Sequence, residues 1–235
     1  MELLYSGKAK DIYKTEKENE VVVHFRNSLT AFNGKKKAEL DEKGEVTCEI
    51  TKIFFDYLEK HGVLTHYIKA LEECQFLALK VKIVLLEVVV RNIATGSIVK
   101  RYGLKKGMKF KEPLLEYFIK DDSLNDPPIC TSHIRALGFE TEENLNKIGE
   151  LTLKVNDLLK PLLEKCKIDL VDFKLEFGFI DGKLLLADEI SPDTCRFWDQ
   201  DTGKSLDKDL FREEEGGVVE AYKEVLKRLR TAVQE

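Results

Sequence analysis

The sequence predicts an α+β fold of two lobes, built from antiparallel sheets with flanking helices. Short strand-like runs at 3–5, 11–15 and 21–26 follow one another closely enough for an antiparallel meander. Residues 171–190 show the period of two around an Asp-Gly turn, the pattern of a half-buried hairpin. Residues 46–61, 141–166 and 218–233 carry apolar side chains at helical spacing instead. At 235 residues and 43% hydrophobic, the chain is long for one domain and short for two full ones, so a compact two-lobed unit is expected. The division is expected at 1–85 and 86–235.

Bulk properties remove several function classes. A net charge of -5 argues against general nucleic-acid binding, which needs a basic surface. The longest apolar run, 76–90, is interrupted by Lys80, Lys82 and Glu87, so it reads as strand and not as a membrane span. The amino terminus lacks the apolar core of a signal peptide. Cys48, Cys74, Cys130, Cys166 and Cys195 are odd in number and scattered, which suits reduced thiols in a cytoplasm and argues against zinc.

Taken in order, the first two strands flank Ser6-Gly7-Lys8-Ala9-Lys10. Glycine permits close backbone approach and two lysines can flank a phosphate chain, although alone this is more simply a lysine-bearing β-turn. Residues 28–44, with Lys35, Lys36 and Lys37, read as a mobile polar loop. The helix at 46–61 buries Ile50, Ile53, Phe54, Tyr57 and Leu58 and stops at Gly62. His61 and His66 have no partner at ligand spacing and read as structural or surface groups. Residues 76–90 give two strands, with 80–84 linking or bending them.

Arg91, a glycine-bearing loop and Ser97 then precede a short helical piece, an order that can cradle an anion. An arginine capping a sheet edge accounts for it equally well. Asp126 precedes two prolines and should be extended or in a turn. Thr141 caps the long helix, which Pro161 should kink or divide. Residues 191–212 read as an irregular charged loop before the last helix.

The hairpin at 171–190 carries the strongest chemical signal. Asp172, Lys174 and Glu176 occupy one face of its first strand, and Asp188 ends the second. Carboxylates for Mg²⁺ beside a lysine for phosphate charge suit a metal–polyphosphate ligand, while a solvated polar hairpin face explains the same alternation. A two-residue Asp181-Gly182 turn would pair Glu176 with Ala187 and send Asp188 to the opposite face. A three-residue Asp181-Gly182-Lys183 loop would pair Glu176 with Asp188, and that loop is the expectation because a metal site needs both acids together.

Together the segments GKAK, VVRNIATGS, NDPP, LVDFKLEFG and DEISPDTCRFWD resemble the SAICAR synthetases in order and spacing, from about residue 4 to residue 222. The resemblance implies an ATP cleft between two lobes, as in ATP-grasp enzymes and kinases. It implies an ATP-dependent ligase that joins the carboxylate of carboxyaminoimidazole ribotide (CAIR) to L-aspartate in purine biosynthesis. A small-molecule kinase on a related scaffold is the alternative. By matching motifs, Gly7, Lys8, Ala9 and Lys10 are expected over the phosphates, with Ile12, Ile83 and Leu85 at the adenine. Lys120, Lys174 and Glu176 are expected nucleotide contacts, and Glu176 with Asp188 the Mg²⁺ ligands. Arg91, Ser97, Asp172, Asp193, Arg196 and Arg212 are expected at the ribotide. Lys10, Lys174 and Asp172 are the expected catalytic groups, Asp172 being one candidate proton acceptor beside a substrate oxygen or water. Lys35, Lys36 and Lys37, or the loop after Ser191, could supply cations for aspartate. A homodimer is also implied. Asn33 and Cys195 depart from the family pattern, where aspartate and serine are expected.

Overall fold

The structure, a computed structural model, describes residues 1–32, 34–72 and 74–234. Asn33 therefore lies outside the described residues. Two antiparallel sheets follow each other along the chain. The first part contains β1 (Leu3–Ser6), β2 (Lys10–Lys14), β3 (Glu20–Phe25), β4 (Ser28–Ala31), β5 (Lys36–Glu39), α1 (Lys43–Lys60), β6 (Tyr67–Ala70) and β7 (Gln75–Leu79). Its sheet runs β1-β2-β3-β7-β6, and β4 pairs with β5 alone. The second part begins with β8 (Lys82–Ile93), α2 (Ser97–Tyr102), β9 (Lys109–Ile119) and a 3-10 turn at Asp122–Leu124. β10 (Pro128–Ile129), α3 (Thr131–Ala136), α4 (Glu142–Lys165), β11 (Ile168–Ile180), β12 (Lys183–Ala187), β13 (Cys195–Asp199), α5 (Asp209–Arg212) and α6 (Val218–Ala232) complete it. Its sheet runs β10-β9-β8-β11-β12, with β13 also on β11. The α+β class and the two antiparallel lobes are thus as the sequence predicts.

β11 is the central strand. It pairs with β8 along one edge and with β13 and then β12 along the other. The stripe of α4 formed by Leu145, Ile148, Val155, Leu159 and Leu162 is buried beside it. Thr141 caps α4 by accepting from the Asn144 N–H at 3.2 Å. Pro161 lies inside α4 without dividing it. At the opposite end of the chain order, α1 packs on α6, and Lys223–Glu42 and Arg230–Glu49 ion pairs tie the two.

Two expectations are corrected. Residues 28–44 are not a loop: β4 and β5 pair from Ser28↔Glu39 to Ala31↔Lys36, with Leu29 and Ala31 buried. Gly44 begins α1, and a Cβ there would meet the Phe25 carbonyl oxygen at 2.6 Å, so close packing dictates the glycine. Residues 191–212 contain β13 and α5, because alternate residues of 195–199 are buried against β11. No helix among the described residues is long and apolar enough to cross a membrane.

Candidate active site

Both sheets and the β4–β5 hairpin close around a cavity of about 940 Å³. β11 supplies its floor. The strand period turns Asp172, Lys174 and Glu176 to the cavity while Val171, Leu175 and Phe177 enter the core.

The β11–β12 turn is the two-residue Asp181-Gly182, with φ of 50° and 75°, as a twist-matched hairpin requires. Ile180 faces Lys183 and Glu176 faces Ala187, so the expected three-residue loop and its Glu176–Asp188 pairing do not form. Simple alternation would send Asp188 to the far side. It returns instead, because the chain leaves the strand after Ala187 and Asp188 adopts a left-handed φ of 63°. Aspartate tolerates that region better than most residues. Both acids therefore line one cavity by a different device from the one expected. His66 supports the turn from behind, its Nε2 lying 3.2 Å from the Asp188 carbonyl oxygen. Burial lowers the His66 pKa to about 4, so the imidazole is neutral and its Nε2–H donates.

Three lysines converge on these acids, and a fourth lines the same cavity. Lys10 of β2 crosses from the other sheet to Asp188 Oδ1 at 2.6 Å and Glu189 Oε1 at 2.7 Å. Lys120 donates to Glu176 Oε1 at 2.6 Å. Lys174 bridges Glu87 at 2.6 Å and Glu176 at 3.2 Å. Burial opposes the charge of Lys10, but Asp188 and Glu189 outweigh it and raise the pKa above the ordinary lysine value. The same balance, with Glu176 and Glu87 as the acids, raises that of Lys174. Burial likewise disfavours the Asp188 anion, yet Lys10 and Lys174 hold its carboxyl well below the usual range. The fourth, Lys8 on the Gly7–Ala9 turn, reaches Asp122 at 2.5 Å.

The other end of the cavity is built on neighbouring strands. Arg91 of β8 donates to Glu116 at 2.5 Å, to Asp172 at 2.9 Å and to Ser97 Oγ at 3.2 Å. Arg196 of β13 donates to Asp172 at 2.9 Å and to Asp209 at 2.7 Å, and Arg212 reaches Asp209 at 2.5 Å. The backbone dictates this cluster: Asp172 faces Arg91 on one side and Arg196 on the other. Gly96, at φ 61°, lies against the Arg196 guanidinium, where a Cβ would stand 2.9 Å from Nη2. Asp193 is ion-paired with buried Lys43 and accepts from the Tyr222 hydroxyl at 2.7 Å.

The family model described as SAICAR synthetase matches residues 3–229. A phosphoribosylaminoimidazole-succinocarboxamide synthase from Clostridium perfringens strain 13 is 53% identical, over 98% of each chain. The chain belongs to the SAICAR synthetase family. Its fold superposes on the Ehrlichia chaffeensis phosphoribosylaminoimidazole-succinocarboxamide synthase with a TM-score of 0.95 at 43% identity, covering 97% of this chain and 98% of the other. A SAICAR synthetase solved in complex with ADP matches with a TM-score of 0.94 at 45% identity, covering 97% of each. The two-lobed architecture is the kinase-like, nucleotide-binding form of these enzymes.

Within this SAICAR synthetase cleft, Gly7, Lys8, Ala9, Lys10, Ile12, Ile83, Leu85, Lys120, Lys174, Glu176 and Asp188 all line the wall. So do Arg91, Asp172, Asp193, Arg196 and Arg212. Ser97 alone of the expected set is off the wall and acts on Arg91. Asp126, at a left-handed φ of 46°, also lines the cavity. Cys195 is buried, and burial pushes its thiol well above the ordinary value, so it stays protonated. Sequence reasoning missed Glu87, Glu189 and Lys43, and pointed to Lys208 only through the loop after Ser191. Glu87 carried a signal, a carboxylate inside the apolar run at 76–90. Lys43 carried none, since its burial depends on Asp193, far along the chain.

Proposed function

We propose that this chain is an ATP-dependent carbon–nitrogen ligase that joins the carboxylate of CAIR to the amine of L-aspartate, releasing ADP and phosphate in purine biosynthesis. One observation carries the reading: a lysine–acid set suited to a metal-bound triphosphate and an arginine set suited to a ribotide phosphate share one cavity. The relatives' names agree with it, and they disfavour the kinase alternative. In this reading residues 1–85 form the nucleotide lobe and 86–235 the substrate and metal lobe. The enzyme is taken as cytoplasmic, in keeping with its odd number of scattered cysteines, and as homodimeric.

Glu176 and Asp188 fit Mg²⁺ by donor chemistry. Both offer hard carboxylate oxygens, and no larger cluster of His, Cys, Asp or Glu competes among the described residues. Two protein carboxylates with phosphate and water completing the shell is the usual Mg²⁺ arrangement. When bound, the ion neutralises phosphate charge. Lys10, Lys120 and Lys174 would exchange their carboxylate partners for phosphate oxygens. Gly7, Lys8 and Ala9 would cover the phosphates, with Ile12, Ile83 and Leu85 against the adenine.

Arg91, Arg196 and Arg212 would take the ribotide phosphate, with Ser97 orienting Arg91. Asp172, gripped by two guanidiniums, holds both arginines in place, and Asp193 adds a fixed carboxylate beside them. CAIR is thereby aligned so that its carboxylate, a poor electrophile as it stands, accepts the γ-phosphoryl group. Alignment and charge neutralisation are the main demands of that transfer. Neutral aspartate amine then attacks the acyl carbon, the C–O bond to phosphate breaks as the amide C–N bond forms, and the surplus amine proton passes to Asp172, a substrate oxygen or water. Purified protein with ATP, Mg²⁺, CAIR and aspartate should release phosphate in an aspartate-dependent manner, and EDTA should stop it. ADP release without aspartate, leaving a stable phosphorylated product, would replace the ligase with the kinase.

A further inference from the structure

The cavity wall holds one half-buried cation whose charge is not matched at close range. Lys8, Lys10, Lys120, Lys174, Arg91, Arg196 and Arg212 each have a carboxylate within ion-pair distance. Lys80 sits exposed at the rim. Lys208 lines the wall, is only partly exposed, and among the described residues has no carboxylate at that range. The acid nearest in its field, Asp193, is already engaged by Lys43 and Tyr222.

Its backbone is anchored at the cavity wall. The Lys208 N–H donates to the Pro192 carbonyl at 3.1 Å, anchoring the residue beside the Asp188-Glu189 turn. Arg212 and Lys43 disfavour its charge, while Asp193 and Glu189 favour it. Burial lowers its pKa to about 8, and Asp193 offsets only part of that fall. Lys208 thus shares one cavity wall with Asp188 and Glu189 of the lysine–acid end and with Arg196 and Arg212 of the arginine end. The rival cations are committed elsewhere. Lys36 donates to the Phe211 carbonyl at 2.6 Å and pairs with Glu214 at 3.1 Å, while Lys35 and Lys37 are exposed and off the wall.

We propose that Lys208 receives one carboxylate of the L-aspartate co-substrate and is a substrate-binding residue of the amine site. This rests on the ligase reading, which supplies a dicarboxylate that needs cations beyond those spent on the two phosphate groups. A charge-assisted contact in a half-buried site corresponds to about 10–100-fold in affinity.

The test is steady-state kinetics of the unaltered chain, Lys208→Met and Lys208→Arg, with CAIR and ATP saturating. Lys208→Met should raise the KM for aspartate about 10–100-fold, with the KM values for ATP and CAIR within about twofold, and Lys208→Arg should restore most of the loss. Succinate inhibition of the unaltered chain, competitive with aspartate, weakened in Lys208→Met and largely retained in Lys208→Arg, gives a second readout. An unchanged aspartate KM and succinate inhibition, or a rise confined to CAIR, overturns the assignment while leaving the ligase intact. Absence of aspartate-dependent turnover in the unaltered chain removes both.

Discussion

The two ends of the cleft are built on opposite plans. At the lysine–acid end the partners come from different sheets and loops: Lys10 to Asp188 and Glu189, Lys8 to Asp122. At the arginine end, Arg91, Asp172 and Arg196 sit on three adjacent strands whose hydrogen bonds set their spacing. The first arrangement holds each of Lys8 and Lys10 on carboxylates from a distant part of the chain, so an arriving anion is expected to make them exchange partners. The second presents guanidiniums locked by Asp172 and Glu116 before any ligand binds. Reorganisation belongs to the nucleotide end and preorganisation to the ribotide end.

The largest expected effect tests the first plan. Glu176→Ala or Asp188→Ala should lower kcat by about 10²–10³-fold while circular dichroism stays unchanged, and wild-type rates would remove the metal assignment. Next, Arg91→Ala should raise the KM for CAIR about 10–100-fold and leave that for ATP nearly constant. Equal changes in both constants would erase the distinction between the ends.

A smaller effect sharpens the contrast through pH. His66 backs the acid end, and its folded pKa of about 4 lies below the ordinary value near 6.5. The unfolded chain therefore binds more protons in that window, and this group makes stability rise with pH by up to about 1.4 kcal/mol per unit. Asp207 backs the arginine end, accepting from the Phe197 and Asp209 N–H groups at 2.8 and 2.7 Å. Burial raises its pKa to about 7, so there the folded state binds the extra proton and stability falls as pH rises from about 4 to 7. The two slopes oppose each other. Urea unfolding of Asp207→Asn should show stability rising more steeply between pH 4.5 and 6.5 than in the unaltered chain; parallel curves would contradict the burial argument. Smallest of all, Asp122→Asn should cost less than about 1 kcal/mol in the same assay, since the Lys8 pair is largely exposed.

Much of this was legible in the sequence because alternation is local. Asp172, Lys174 and Glu176 could only share a face once β11 was recognised, and Thr141 announced α4 by its capping position. Asp188 was legible as a residue but not as a conformation. Its return to the cleft depends on a single backbone dihedral, which the period of two cannot encode. The β4–β5 hairpin was hidden because Lys36 and Lys37 open its second strand, and charge outweighed pattern. Lys43 was opaque, and Lys208 legible only as part of a loop, for another reason: burial of a lysine depends on partners that only the folded chain brings near.

The packing of α1 on α6 has a consequence for biosynthesis. The buried side of α1 is completed by a partner helix that begins at Val218. A ribosome adding roughly 5–20 residues per second leaves that side waiting on the order of ten seconds or more. During that interval the nascent chain exposes a greasy helix, so chaperone capture is expected to fall between emergence of residue 60 and of residue 218.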